Sequence, residues 1–354
     1  MNSPRLFKIL LPVIIGLAVV IWLFCREFNA ETWQQIHFDW RVVGCLILAW
    51  VFMFGRDFGL TWRFRALTNR ELSWTSAIKV NLLCEFTSCV TPSAVGGSSL
   101  GMVFMHSEGI ELGRATTLML TTLFLDELFF VVALPVVMLL VPYDTLFGFS
   151  TTFSRGLQGV FWIVYSLIFL WTTILFIALL VRPSMIKRLF TAIFRLKLLR
   201  RWSPKIEELT DNMTATSADL KSRPMRWWME NFFATALTWT SRFLVVNALF
   251  LGFAPQAPQL VVLCRQFVVW VVLMVSPTPG GSGLSEWLFT EYYGDLLPSA
   301  GVAVVLAVFW RIITYYVYLA AGAILVPSWL KKTLGGNKKD DSDKNREASD
   351  EAGK

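Results

Sequence analysis

The chain has 354 residues, of which 55% are hydrophobic and 16% are charged, and its mean hydropathy is +0.56. This composition is too apolar for an ordinary soluble domain of that length, so we expect an all-α polytopic membrane protein. The net charge of +7 does not indicate nucleic-acid binding, because the lysines and arginines lie between apolar segments and form no separate basic module.

Six apolar segments are long enough to cross the hydrocarbon as helices. They are residues 9–25, 42–60, 115–141, 160–181, 227–253 and 301–326. The first segment follows Arg5 and Lys8 and resembles a signal peptide, but it lacks a small-residue cleavage site. We therefore expect it to remain as the first membrane span.

Two further apolar segments, residues 74–104 and 260–289, each contain a Pro-Gly motif. The motifs read VTPSAVGGSSL from residue 90 and VSPTPGGSGL from residue 275, and they align after a one-residue deletion. Proline removes a backbone donor and glycine frees the backbone, so each motif predicts a helix break. Broken backbone at membrane depth is tolerated only where it is buried in protein or lines a watery cavity.

The loop charges predict how these segments are arranged. Residues 182–226 contain eleven basic and four acidic side chains, so we expect this loop in the cytoplasm, with both chain termini and the segment around Arg63, Arg65 and Arg70. This placement requires 74–104 and 260–289 to enter and leave on the same face. The prediction is an inner-membrane protein with six full spans and two re-entrant hairpins. Its inverted repeat comprises residues 9–141 and 160–326.

Two spacings recur in both halves and support the repeat. Each joins an ionisable residue to the Pro-Gly motif of its own half. The pairs are Leu100–Glu127 and Leu284–Arg311, both 27 residues apart, and Asp57–Val90 and Arg242–Val275, both 33 residues apart.

The Pro-Gly tips are the predicted substrate site. A helix that restarts after Gly97 or Gly281 offers free N–H groups and a positive dipole end, which suit an anionic head group. Alternatively, the glycines only permit close helix packing. Glu286 either caps the first turn or holds a cationic part of the substrate. The predicted binding residues are Pro92, Gly96, Gly97, Ser98, Ser99, Pro279, Gly280, Gly281, Ser282, Gly283 and Glu286.

Ionisable residues within the spans predict a polar path or ion pairs. A charge at the bilayer centre costs about 2.5–3.5 kcal/mol on insertion scales and needs a partner or water. The structural alternative pairs Asp126 or Glu127 with Arg311, while Arg56 and Asp57 reach the interface from a span end. The residues of this set are Arg56, Asp57, Asp126, Glu127, Arg242 and Arg311.

Other chemistry is not indicated by the sequence. The five cysteines and two histidines show no metal-ligand spacing, and no nucleophile or nucleotide motif is present, so we expect no metal, no cofactor and no enzyme activity. The basic stretch 187–201 is expected to lie on anionic lipids of the inner leaflet. Residues 331–354 are expected to form a disordered cytoplasmic tail.

The motifs also resemble a known family. VTPSAVGG, SPTPGGSGLSE about 185 residues later and Arg311 in the last span are similar to the flippase-like transmembrane region of lysylphosphatidylglycerol synthases. The likeness extends to about residue 326, and residues 277–286 are its most specific part. It implies a helical membrane fold that moves a phospholipid or lipid-linked head group between leaflets, without a tightly bound cofactor. No synthase domain is expected, and Ser98 and Ser99 stand where many relatives have other polar residues, so the lipid stays open.

The leading hypothesis is therefore lipid translocation, with the head group between Gly97 and Gly281 and with Arg311 and Glu127 along the polar path. One alternative is a membrane-embedded enzyme or accessory subunit of lipid or polyprenyl-glycan synthesis. A second alternative is a small-solute or ion transporter. The oligomeric state stays open as well.

Overall fold

The computed structural model describes residues 39–91, 95–148, 152–182 and 203–329. For 95–99 and 203–211 only the helical backbone is described. The predicted first span at 9–25, Pro92, the basic stretch 187–201 and the tail at 331–354 lie outside the described residues.

The described ranges are almost entirely helical. In chain order the helices are α1 (Trp40–Leu67), α2 (Trp74–Val90), α3 (Val95–Ser107), α4 (Leu112–Leu140), α5 (Tyr143–Phe147), α6 (Thr152–Val181), α7 (Ser203–Ser222), α8 (Met225–Phe253), α9 (Gln259–Leu273), α10 (Leu284–Tyr293) and α11 (Ala300–Trp329). The end of α6 and the middle of α11, Ile312–Tyr316, are π-helical turns.

Five of these helices, α1, α4, α6, α8 and α11, are long and apolar enough to cross a membrane. Each has 28 to 30 residues, which at about 1.5 Å per residue exceeds a hydrocarbon core of about 30 Å. They confirm five of the six predicted spans. Helix α1 continues seven residues beyond the predicted end at 60, because its arginines find partners inside the protein.

The two Pro-Gly motifs interrupt helices as predicted. Helix α2 ends at Val90 before α3 begins at Val95, and residues 274–283 separate α9 from α10. Because α3 begins before Gly97, the prediction that this helix restarts after Gly97 is wrong, whereas α10 does begin after Gly281. In the second break Gly280, Gly281 and Gly283 have φ angles of +56°, +71° and +85°. Residues other than glycine adopt such positive φ angles only at a cost in free energy. Within each broken segment the two arms pack against each other.

Helices α1 and α8 form the centre of the molecule. They run antiparallel and pack along most of their length. A Cβ atom on Gly59 of α1 would lie 2.6 Å from Thr238 Oγ1 of α8, so only glycine permits this approach. At the other end Gly252 of α8 packs against Cys45 of α1. Small residues at such crossings are typical of helices packed in membranes.

Contacts made by the first half recur in the second half. Helix α1 packs on α2 as α8 packs on α9, and α3 packs on α4 as α10 packs on α11. Helix α4 also reaches α8, while the π-helical turn of α11 reaches α1. Each of the two central helices, α1 and α8, thus contacts one broken segment and one long helix.

Candidate functional site

A cavity of about 210 Å³ lies where α1, α2, α4, α8, α9, α11 and the second break meet. Its charged lining residues are Arg56, Arg63, Glu85, Asp126, Glu127, Arg242 and Arg311. A cavity with so many charges inside an apolar bundle is the candidate site of this protein.

The end of α2, just before the first break, meets the second break at this cavity. The Gly280 amide donates to the Thr91 carbonyl oxygen at 3.3 Å, and the Tyr315 hydroxyl donates to the Cys89 carbonyl oxygen at 3.3 Å. A Cβ atom on Gly280 would lie 2.3 Å from the Tyr315 ring, so this contact requires glycine. Ser88, Cys89, Ser276, Gly280 and Gly281 also line the cavity.

Arg311 is held by the second broken segment. Its Nε lies 2.8 Å from Glu286 Oε1, its Nη2 donates to Ser282 Oγ at 3.3 Å, and its guanidinium lies 3.8 Å from the centroid of the Tyr315 ring. The π-helical turn follows Arg311 directly and contains Tyr315. Such turns are frequent at functional sites because they alter the direction of neighbouring side chains.

Glu286 caps α10, which confirms the structural reading of this residue. Its Oε2 accepts from the Gly283 amide and from the Ser285 hydroxyl, both at 2.8 Å. Glu286 and Ser282 are fully buried, and neither lines the cavity. The positive end of α10, where a substrate anion was expected, is therefore already occupied by the carboxylate of Glu286.

Arg56 lies in the middle of α1 and is paired with two carboxylates. It forms ion pairs with Asp57, at 2.6 Å, and with Glu85 of α2. The hydroxyl of Tyr318 donates to Asp57 Oδ2 at 2.6 Å, and Asn81 donates to Asp57 Oδ1 at 3.2 Å. Arg56 is only 2% exposed, so the expectation that it reaches the interface is wrong. The longer α1 places it at mid-helix.

Arg63 and Asp126 form a second buried pair. Arg63 donates to both carboxylate oxygens at 2.6 and 3.0 Å and to Thr235 Oγ1 at 2.9 Å, while Trp239 Nε1 donates to Asp126 at 2.8 Å. The predicted pairing of Asp126 or Glu127 with Arg311 is therefore wrong. The local turn of α10 supplies Glu286 to Arg311, and Asp126 takes Arg63 instead.

Two opposite charges in the cavity are left without a partner among the described residues. The guanidinium of Arg242 lies 3.9 Å from the ring centroid of Trp270, in cation–π contact. No carboxylate of the described chain pairs with it, and its Nε has no acceptor. Likewise, no described cation pairs with Glu127, whose buried Oε2 has no hydrogen-bond donor.

The remaining predicted residues divide into those near the cavity and those outside the description. Pro279 and Gly283 belong to the second break but do not line the cavity. Pro92 lies outside the described residues. Of Gly96, Gly97, Ser98 and Ser99 the structure describes only the helical backbone. In the part of the chain that the structure describes, no three His, Cys, Asp or Glu side chains cluster as a metal site would require.

Several cavity residues are not among those predicted from the sequence. Arg63 was assigned to a cytoplasmic segment by its charge alone, although Asp126 holds it inside the bundle. Glu85 lies in an apolar stretch, and the criterion that selected Arg56 applies to it equally. Trp239 and Trp270 have no sequence signal, because tryptophans are also common at membrane interfaces.

The long apolar helices and the charged internal cavity define the class: a multi-pass membrane protein with a polar site inside its bundle. The family model for the lysylphosphatidylglycerol synthase TM region matches residues 9–322, and the chain belongs to this family. It is also similar to a UPF0104 membrane protein of Archaeoglobus fulgidus, with 26% identity over 331 residues, 89% of this chain and 94% of the relative. No solved structure matches the chain.

Proposed function

We propose that this protein moves a phospholipid or lipid-linked head group that contains a phosphate between the two leaflets of the membrane. The observation that carries the proposal is the cation Arg242, which lacks a carboxylate partner in the described chain and lines a cavity where the end of α2 meets the second break. In this proposal the protein transports the lipid and does not modify it chemically.

Arg242 has the chemistry that a phosphate group requires. A planar guanidinium donates two parallel hydrogen bonds to phosphate oxygens, and such charge-assisted bonds are stronger than neutral ones. The cation–π contact with Trp270 holds the guanidinium in place without neutralising it. Trp270 and Trp310 also line the cavity, and their indole N–H groups have no acceptor in the described protein, so they are further donors for a bound ligand.

The size of the cavity limits what it holds. A drug-sized ligand fills a pocket of about 300–1,000 Å³, whereas this cavity measures about 210 Å³. It has room for a polar head group but not for acyl chains. We therefore propose that the acyl chains stay in the surrounding bilayer while the head group passes through the helix bundle.

The recurring helix contacts support an inverted repeat. The central helices α1 and α8 are antiparallel, and the neighbours of one correspond to the neighbours of the other. Arg56 pairs with Glu85, five residues before Val90, and Arg242 contacts Trp270, five residues before Val275. We propose that the broken segments are re-entrant hairpins from opposite faces and that one repeat rocks against the other. The same proposal places the protein in the inner membrane with cytoplasmic termini.

A reconstituted transport assay tests the proposal. Purified protein is placed in vesicles with acyl-labelled phospholipid, and a membrane-impermeant quencher measures how fast the label crosses. Arg242→Gln should lower the rate about tenfold or more, because hydrogen bonds to charged groups contribute about 1.5–3 kcal/mol. Arg155→Gln is the matched control, since Arg155 is exposed on α6. Equal rates for Arg242→Gln and wild type, or no transport above protein-free vesicles, would contradict the proposal.

A further inference from the structure

The charges of the cavity are unevenly balanced within the described part of the chain. Three arginines are neutralised by carboxylates: Arg56 by Asp57 and Glu85, Arg63 by Asp126, and Arg311 by Glu286. The fourth arginine, Arg242, has no such partner there, and Glu127 has no cation. The cavity and its paired neighbours thus contain five carboxylates and four guanidinium groups.

This balance disfavours a head group that carries negative charge alone. A phosphate bound to Arg242 neutralises the guanidinium, but it leaves the Glu127 carboxylate without a counter-charge inside the membrane. An uncompensated buried charge is costly. A head group that also carries a positive charge compensates both residues at once.

We infer that the substrate head group is zwitterionic, with a phosphate that binds Arg242 and an ammonium group that binds Glu127. Glu127 is then the residue that selects head groups with an amine over those without one. This inference rests on the proposed function, because it names the substrate class of the same cavity. It adds a cationic group to the anionic head group that the sequence predicts, and it assigns that group to Glu127 and not to Glu286.

The unpartnered oxygen of Glu127 further specifies the ammonium group. Oε2 is buried and has no hydrogen-bond donor in the described chain, so a ligand that donates an N–H bond satisfies it. A primary ammonium has such donors, whereas a quaternary ammonium has none. An ethanolamine-type head group therefore fits better than a choline-type head group. Its small size also suits a cavity of about 210 Å³.

The test compares three lipids that differ only in the head group. Vesicles contain acyl-labelled phosphatidylethanolamine, phosphatidylcholine or phosphatidylglycerol, and the crossing rate is measured for each. Wild type should move the ethanolamine lipid fastest. In Glu127→Gln the ratio of the ethanolamine rate to the glycerol rate should fall about tenfold, because one charge-assisted hydrogen bond is weakened. Glu127→Asp keeps the charge and should retain a preference for ethanolamine. Glu291→Gln, on an exposed residue, is the matched control.

A binding measurement separates this inference from the proposed function. Native mass spectrometry measures how much of each lipid the detergent-purified protein retains, and size-exclusion elution shows that each variant is folded. If no lipid is transported but Glu127→Gln selectively loses the ethanolamine lipid, translocation fails and the zwitterionic site stands. If Glu127→Gln leaves the ethanolamine-to-glycerol ratio unchanged in both measurements, the inference is overturned while translocation stands.

Discussion

At the scale of single residues, the site depends on which charges are neutralised inside the protein and which are not. Arg56, Arg63 and Arg311 each have a carboxylate within hydrogen-bonding distance, so they stabilise the bundle around the cavity. Arg242 instead has an aromatic neighbour, which orients the guanidinium and leaves its charge available. Three of these arginines are thus neutralised within the protein, whereas Arg242 is the one that we propose to bind the ligand.

The pair Arg63–Asp126 should show the energetics of a buried ion pair. Arg63→Met leaves Asp126 without its cation, and breaking a buried pair in this way costs about 3–5 kcal/mol. The double variant Arg63→Met/Asp126→Leu removes both charges and should recover most of that loss. Thermal unfolding in detergent, followed by tryptophan fluorescence, measures both effects.

The exposed pair Arg114–Glu71, whose atoms are 2.8 Å apart, is the control for this experiment. Arg114→Met should change stability by about 0–1 kcal/mol, because water screens exposed pairs. A double variant at Arg63 and Asp126 that is no more stable than Arg63→Met would show that the pair does not contribute as described.

At the scale of elements, the decisive contact is the one between the end of α2 and the second break. Gly280 lies against both the Cys89 carbonyl and the Tyr315 ring. A hydrogen-bond chain runs from Arg311 through Ser282 and Tyr315 to Cys89, so the second half of the molecule is linked to the first. A change at this point should affect both halves together.

Gly280→Ala tests this contact. The added methyl group would lie 2.3 Å from the Tyr315 ring, and the φ angle of +56° is unfavourable for alanine. Strained backbone conformations cost about 1–3 kcal/mol each, so the melting temperature should fall and lipid transport should slow. Gly156→Ala is the control, because a Cβ atom there meets no atom within 4 Å. Equal stability of the two variants would contradict the proposed role of Gly280.

The elements differ in how well local sequence predicts them. The breaks after Val90 and Leu273 follow from proline and glycine chemistry, which acts within a few residues. The long apolar helices follow from hydrophobicity alone. The partner of each charge cannot be predicted from local sequence, because Arg63 and Asp126 are 63 residues apart and meet only after α1 and α4 pack. For the same reason the stacking of Arg242 on Trp270 could not be predicted.

At the scale of the whole molecule, translocation as proposed requires that one cavity serve both leaflets. The antiparallel central helices and the matching contacts of the two halves support the inverted repeat that we propose for such an exchange. If the two halves exchange conformations, a residue in the cavity meets water first from one face and then from the other. Ser88 is suited to report this exchange, because it lines the cavity and is partly exposed.

The most direct test of this central claim is thiol labelling from each face of oriented vesicles. Ser88→Cys is made in a variant without the five native cysteines and is treated with a membrane-impermeant thiol reagent outside or inside. Ser222→Cys, exposed at the end of α7, is the control and should react from one face only. If one cavity opens alternately to the two faces, Ser88→Cys should react from both of them. Reaction from one face alone, or from neither, would contradict a shared cavity.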